Sequence, residues 1–205
     1  MAHPLRLTLT LACVLSTSLL AGCEKKVNWS ETVTLRDGRT VLVRRAVWLG
    51  DEWLNFTAKW PHRYAIDFEN PETHKHFSWS GKHGISPVMI DFAGRDTYLV
   101  VAPFLCDADM SGYDNPNPPF AYLHYEGLLR GWQAVPLAEL PGVHRANLTP
   151  GGNYVPDGTY YSKSAVTARI GEAEHSTEGF FQVEIPATLE TWRYKYKKPG
   201  PYTKC

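Results

Sequence analysis

Apolar and polar residues alternate with a period of two in ETVTLRDGRTVLVRRAVW, on both sides of an Asp-Gly dipeptide at residues 37 and 38. This period is typical of a β-strand with one buried face, and Asp-Gly favours the tight type I′ turn of a β-hairpin. Thr32–Leu35 and Thr40–Val47 are therefore predicted to pair as antiparallel strands.

A second hairpin is predicted in SPVMIDFAGRDTYLVVAPF, where the apolar runs Val88–Phe92 and Thr97–Ala102 flank a turn at residues 93–96. Further strands are predicted in WLNFTAKW, YAIDFEN, HFSWSG, FAYLHYEG, GFFQVEI and TWRYKYKK. SKSAVTARIGEAEH is the best helix candidate, with Ser164 as its predicted N-cap. The pattern predicts a mainly β protein: a single antiparallel domain, sandwich-like or an open barrel, with one short peripheral helix.

Composition agrees with a turn-rich β protein and narrows the function classes. The 205 residues include 15 Pro and 16 Gly, and 13% of them are aromatic. The 21 basic and 21 acidic residues balance. A neutral chain without a basic excess argues against nucleic acid as a partner.

The first 23 residues carry the most specific motif. A short positive region with Arg6 precedes the apolar stretch LTLTLACVLSTSLL, which is too short to span a bilayer as a finished helix. The stretch ends at Leu20-Ala21-Gly22-Cys23, which resembles the lipobox of bacterial lipoproteins. The resemblance implies a signal peptide over 1–22, an acylated tether over 23–30 and a β-rich periplasmic domain over 31–205. Cys23 is then the lipidation site, and the lipid bilayer is a partner through its acyl chains.

The residue after the cysteine bears on which membrane holds the protein. Lipoproteins retained in the inner membrane commonly carry Asp at this position, whereas this chain has Glu24. By this resemblance the expected location is the periplasmic face of the outer membrane rather than the inner membrane.

The remaining cysteines predict one disulfide bond. Cys13 leaves with the leader and Cys23 is acylated, so Cys106 and Cys205 are left as a pair in an oxidising compartment. A bridge of this span stabilises by about 4 to 5 kcal/mol in the chain-entropy model. A nucleophilic role for Cys106 is the alternative, and no His with an orienting partner is singled out for it.

The middle of the chain adds a second, weaker resemblance. SPVMIDFAGRDTYLVVAP, NPNPPFAYLHYEG and GWQAVPLAELP, together with the VTLRDGR hairpin at Val33–Arg39, resemble a group of uncharacterised proteobacterial lipoproteins over roughly residues 31–148. The resemblance implies a β-rich domain and an envelope location, and it implies no activity.

Two groups of residues are candidates for a metal site. His74, His76 and His83 fall within ten residues, but no acidic or Cys ligand follows at a tight spacing, and a solvated loop is the favoured interpretation. Asp107, Asp109 and Asp114 lie in a sequence that begins like an EF-hand loop. The residue where a bidentate Glu should close that loop is Pro118, so turn-capping is favoured here. Neither group predicts a bound metal, and no cofactor is predicted.

Candidate recognition surfaces come from aromatic and basic side chains. Tyr113, Phe120 and Tyr122 adjoin a proline-rich loop, and they either form an exposed surface or fill the core. Arg193, Lys195 and Lys197 alternate with tyrosines near the C-terminus, as in an anion-binding stripe or a protected edge strand.

No catalytic residue is predicted. The chain has no G-x-S-x-G elbow, Walker loop or Rossmann glycine fingerprint. The expected function is a membrane-anchored, non-enzymatic binding or structural module, with an immunity or accessory role toward an envelope effector as its narrower form and a protein of the envelope as partner. The alternative is an envelope hydrolase whose site forms only in the fold.

Overall fold

The computed structural model describes residues 25–52, 55–81, 84–103, 108–116, 120–140, 145–149 and 156–175. These residues form nine strands, one α-helix and two short 3₁₀ helices. The strands are β1 (Lys25–Thr34), β2 (Thr40–Glu52), β3 (Asn55–Glu69), β4 (His76–Ser80), β5 (Ile85–Ala93), β6 (Asp96–Pro103), β7 (Ala121–Tyr125), β8 (Trp132–Val135) and β9 (Thr159–Tyr161). The helix is α1 (Lys163–His175), and the 3₁₀ helices span Ser111–Tyr113 and Leu137–Glu139.

Five of the strands form one sheet in the order β4-β3-β2-β1-β9. The predicted first hairpin is confirmed and is longer than expected, because β1 and β2 pair antiparallel from Lys25 opposite Leu49 to Thr34 opposite Thr40. Its turn contains Gly38 at φ +87°, a conformation that glycine adopts without steric cost. β9 adds to the edge of the sheet as a short strand parallel to β1.

The second sheet has the order β5-β6-β7-β8, with all neighbours antiparallel. The predicted second hairpin is confirmed as β5 and β6, with Ala93 opposite Asp96 at the turn. The register shifts once, between Pro87 and Met89. Pro87 lacks a backbone N–H to donate to the ladder, and edge strands and bulges are where sheets accommodate proline.

The two sheets enclose a common core. Alternate residues of β1 are buried, and their partners on β2, β3 and β4 continue the same apolar face. Ile90 and Phe92 of β5 and Leu99 of β6 belong to the same core cluster from the opposite sheet. The fold is therefore mainly β and sandwich-like, and the sheets do not close into a barrel.

A polar network joins the sheets inside this core. The side chains of Glu31 on β1 and Arg45 on β2 are 0% exposed, and Arg45 Nη1 donates to Glu31 Oε1 at 3.0 Å. Arg45 also donates to the backbone oxygens of Thr149 at 2.5 Å and Pro87 at 3.2 Å. The Thr149 N–H and hydroxyl donate to the second Glu31 oxygen. We call Glu31, Arg45 and Thr149 the polar bridge.

Asn147 makes a second link between the sheets. Its amide nitrogen donates to the backbone oxygens of Thr34 on β1 at 3.1 Å and Ile90 on β5 at 2.8 Å. Its side-chain oxygen accepts from the Ile90 N–H at 3.0 Å. These bonds fix the segment at residues 145–149 between the ends of the two sheets.

Two predicted boundaries are corrected. The tether expected over 23–30 overlaps β1, which begins at Lys25, because Val27 and Trp29 are each 3% exposed and belong to the core. The helix is confirmed, but its cap is Ser162 rather than Ser164, since the Ser162 hydroxyl accepts from the Ala165 N–H at 3.4 Å. The strands predicted in GFFQVEI and TWRYKYKK lie outside the described residues.

Within the described residues, no helix combines the length and the apolar character needed to cross a membrane.

Candidate functional site

Four turns meet at one end of the sandwich, which we call the distal end. They lie at residues 35–39, 70–75, 93–96 and 126–131. Arg39 Nη1 donates to Glu72 Oε1 at 2.7 Å, and the Asn70 amide donates to the backbone oxygen of Gly94 at 3.5 Å. The Lys75 ammonium lies 4.5 Å from the centre of the Tyr125 ring. Side chains of two of the turns, 35–39 and 70–75, thus contact a neighbouring turn or strand at this end.

The turn between β7 and β8 carries the most exposed apolar side chains in the described part of the chain. Leu128 is 91% exposed and Leu129 is 102% exposed. We call this pair the leucine tip. The turn around it is closed by hydrogen bonds from the Glu126 N–H to Gly131 O at 2.9 Å and from the Gly131 N–H to Gly127 O at 2.7 Å.

The base of the leucine tip is anchored to the opposite sheet. Trp132 Nε1 donates to the backbone oxygen of Ser78 on β4 at 2.7 Å, and the Trp132 and Tyr125 rings pack edge to face at 5.4 Å. Phe77 packs against both rings. The leucines therefore lie on a hairpin that is anchored at its base. Neither leucine belongs to the apolar clusters of the fold.

The opposite, proximal end is where β1 begins. Lys26, Trp48 and Arg63 are neighbours across β1, β2 and β3 on the solvent-facing side of the sheet. The Lys26 ammonium and the Arg63 guanidinium lie 4.9 and 4.0 Å from the centre of the Trp48 ring. About 30 Å separate the two ends, because β1 rises roughly 3.3 Å per residue over its length.

The two candidate metal-ligating histidines within the described residues both contact a carboxylate. His74 Nδ1 and His76 Nε2 lie 2.7 and 3.2 Å from the two carboxylate oxygens of Glu69. His83 lies outside the described residues. Over the described ranges, no three His, Cys, Asp or Glu side chains are grouped so that they could hold a metal ion.

The aspartates of the loop that begins like an EF-hand shape a turn. Asp109 Oδ1 accepts from the Ser111 N–H at 2.9 Å, and Asp114 ends the first 3₁₀ helix in the left-handed conformation at φ +59°. This is the turn-capping role that the sequence favours. Asp107 is not among the described residues.

The aromatic surface predicted at Tyr113, Phe120 and Tyr122 needs correction. Phe120 is 3% exposed and packs in an apolar cluster on the outer face of the second sheet, so its ring is not available to a partner. Tyr113 packs against the main core, and Tyr122 packs beside Phe120. Burial raises the pKa of both phenols, that of Tyr122 to about 12. Phe120 therefore fills the fold, which is the alternative interpretation of the sequence, whereas Tyr113 and Tyr122 are half-buried.

Several predicted positions fall outside the described residues: the lipidation site Cys23, the disulfide pair Cys106 and Cys205, and the basic stripe Arg193, Lys195 and Lys197. The acylation, the disulfide bond and the basic surface stay predictions.

The predictions from sequence include neither the polar bridge nor the leucine tip. A signal for the bridge exists, because Glu31 and Arg45 occupy the buried phase of the alternation on adjacent strands, where apolar residues are expected. A signal for the tip also exists, since two leucines lie between glycines 127 and 131 in a turn where polar residues are usual.

Serine side chains cluster at one place on the described surface. A shallow open depression beside the start of α1 is lined by Ser162, Lys163, Ser164, Thr167 and Ala168. The Ser162 hydroxyl contacts the Ser164 hydroxyl at 3.0 Å and caps the helix. No His or carboxylate stands among the lining residues, and Lys163 is the one titratable side chain there.

Comparison with protein-family models, with curated proteins and with solved structures finds no match.

Proposed function

We propose that the protein is a lipid-anchored binding module of the bacterial envelope that recognises a protein partner with its leucine tip. The acyl chains on Cys23 hold the molecule on the periplasmic face of the outer membrane. The sandwich serves as a rigid support. Under the narrower form of this proposal, the partner is an envelope-directed effector that the protein neutralises or assists.

The observation that carries the proposal is the exposure of Leu128 and Leu129 on an anchored hairpin. A pair of fully exposed leucines gains free energy when an apolar pocket covers it, by about 1.5 to 3 kcal/mol for each side chain. A rigid presenting element reduces the conformational entropy lost on binding. The arrangement therefore suits a recognition element.

The position of the tip favours a protein over the anchoring bilayer as its occupant. Lys25, the first residue of β1, follows Cys23 by two positions, so acyl chains on Cys23 would place the membrane surface at the proximal end. The turn that bears the leucines lies at the other end of the sandwich, about 30 Å along β1. The tip then faces the periplasm.

Site-specific photocrosslinking tests the partner. Benzoylphenylalanine in place of Leu129, in the full-length chain expressed in its host, should yield a discrete adduct with one envelope protein, and the adduct should be lost when Leu128 is changed to Ser. The matched control carries the crosslinker at Arg44, which is exposed on the flat face of the first sheet. The same adducts from both positions, or lipid adducts alone from Leu129, would contradict the proposal.

The anchor is tested separately. Mass spectrometry of the N-terminal peptide should show acyl chains on Cys23, and a Cys23→Ser chain should leave the membrane fraction or accumulate unprocessed. A Cys23→Ser chain that is processed to normal size and still fractionates with membranes would show that the anchor is not at Cys23.

A further inference from the structure

Lys26, Trp48 and Arg63 form a stack at the proximal end, on the side of the sheet that faces away from the core. The three residues are direct cross-strand neighbours, and a cation lies on each side of the indole ring. Lys26 and Arg63 are exposed, and Trp48 is half-buried. The core lies on the other side of the sheet, so none of the three is needed to fill it.

The chemistry of this stack matches the surface of an anionic bilayer. Tryptophan favours the membrane interface because its ring is apolar and its N–H is polar. Lysine and arginine beside it are attracted to anionic headgroups within a Debye length of the surface. Lys25 adds a further basic residue at the start of β1.

The acidic residues described at this end do not reverse the sign of the charge. Asp157 is exposed, and its oxygen accepts from the backbone N–H of Asn28 at 2.7 Å, which is the main reason that its pKa is lowered. Lys25 lowers it further. Asp51 and Glu52, the last two residues of β2, are the other acidic residues at this end. Against these three acidic residues stand four basic ones, Lys25, Lys26, Arg63 and, opposite Asp51, Lys59.

The chain between the anchor and the stack is short. Cys23 and Lys25 are two residues apart, a span of at most about 7 Å when fully extended. Acyl chains on Cys23 therefore bring the headgroup layer to the beginning of β1. Lys26 is the next residue along that strand, and Trp48 and Arg63 follow it across the sheet.

We propose that Lys26, Trp48 and Arg63 contact anionic phospholipid headgroups and orient the sandwich on the membrane that holds its acyl chains. This inference rests on the proposed anchor at Cys23. It deepens the proposed function, because it assigns one face of the protein to the bilayer and leaves the leucine tip for the partner.

The test uses the full acylated lipoprotein reconstituted into vesicles of phosphatidylcholine with and without phosphatidylglycerol, some of them carrying a headgroup nitroxide that quenches tryptophan. Quenching is expressed relative to vesicles without nitroxide. The wild type should be quenched more than Trp48→Phe, and the difference should grow with phosphatidylglycerol and shrink with salt. Equal quenching of the two proteins would overturn the inference.

A charge substitution provides a second measurement that does not alter the fluorophore. Lys26→Glu should reduce the quenching in phosphatidylglycerol vesicles. Arg44→Glu makes the same change of charge on the same face but farther from the proximal end, and it should leave quenching unchanged. Equal effects of the two substitutions would also overturn the inference. If the purified wild-type protein carried no acyl groups and did not sediment with vesicles, the proposed anchor at Cys23 would be refuted instead.

Discussion

Charged side chains are usually exposed and leucines are usually buried, and the polar bridge and the leucine tip depart from this placement in opposite directions. The bridge buries a carboxylate and a guanidinium with 0% exposure, whereas the tip leaves two leucines open to solvent. The bridge holds its charges with hydrogen bonds to Thr149 and Pro87 from within the chain. The tip is supported by Trp132 and Tyr125 at its base, but its exposed leucines add no buried apolar surface to the fold. The bridge therefore pairs its opposite charges within the chain, whereas nothing in the described part of the chain buries the leucines of the tip.

The largest effect is expected from removing Arg45. Arg45→Met leaves Glu31 buried without its counter-charge and removes the donors to Thr149 O and Pro87 O. The free energy of unfolding, measured by urea denaturation, should fall by about 3 to 5 kcal/mol.

The matched control for this change is Arg44→Met on the same strand. The Arg44 side chain is 70% exposed and lies 3.5 Å from Asp67, so its loss should change the free energy of unfolding by less than about 1 kcal/mol. If Arg45→Met were no more destabilising than Arg44→Met, the bridge would not hold the sheets together.

A pH-dependent effect is expected at Asp91, a largely buried carboxylate on β5 that lies 3.3 Å from Arg36 Nε. Burial raises the pKa of Asp91 in spite of Arg36. The folded protein therefore holds this proton more tightly than the unfolded chain, and the stability gained at low pH is lost as the pH rises through the folded-state pKa. Asp91→Asn, which does not titrate, should gain stability relative to wild type as the pH rises from acid toward neutral.

Asp37 in the β1–β2 turn provides the opposite case. Its hydrogen bond from Arg39 lowers its pKa, so its contribution to stability is present above the unfolded-state pKa and is lost as the pH falls. Asp37→Asn should therefore be least stable relative to wild type near neutral pH. Urea denaturation across the acid range checks both variants, and the same direction for the two would contradict the assignment.

The smallest effect on stability is expected at the leucine tip. Leu128→Ser with Leu129→Ser should change the free energy of unfolding by no more than about 0.5 kcal/mol, because neither side chain is buried. Leu123 on the same hairpin is 1% exposed, and Leu123→Ala should cost about 2 to 5 kcal/mol. A tip variant as unstable as Leu123→Ala would show that the leucines serve the fold.

The sequence predicted the parts of the fold that depend on local pattern. The β1–β2 and β5–β6 hairpins each combine alternation with a short turn, and both are present. The start of β1 was missed because Val27 and Trp29 lie among polar residues, and the burial of both depends on the sheet that packs over them. β9 was missed because three residues pair with β1 from about 130 positions away.

The candidate site was less predictable for a related reason. Phe120 and Leu128 are both large apolar residues beside turns, yet one is buried and the other is exposed. Which of them meets the solvent is decided by the packing of the sheets. The His74 and His76 contacts with Glu69 likewise follow from the β3–β4 turn, which brings the strand ends together.

The orientation of the leucine tip is the most direct test of the central claim. A fluorophore introduced as an unnatural amino acid at residue 129 of the acylated lipoprotein reports the distance of the tip from vesicles whose headgroups carry a quencher. A tip about 30 Å from the anchored end should escape contact quenching while Trp48 does not. Strong quenching at residue 129 would place the leucines in the bilayer and contradict a role in binding a protein partner.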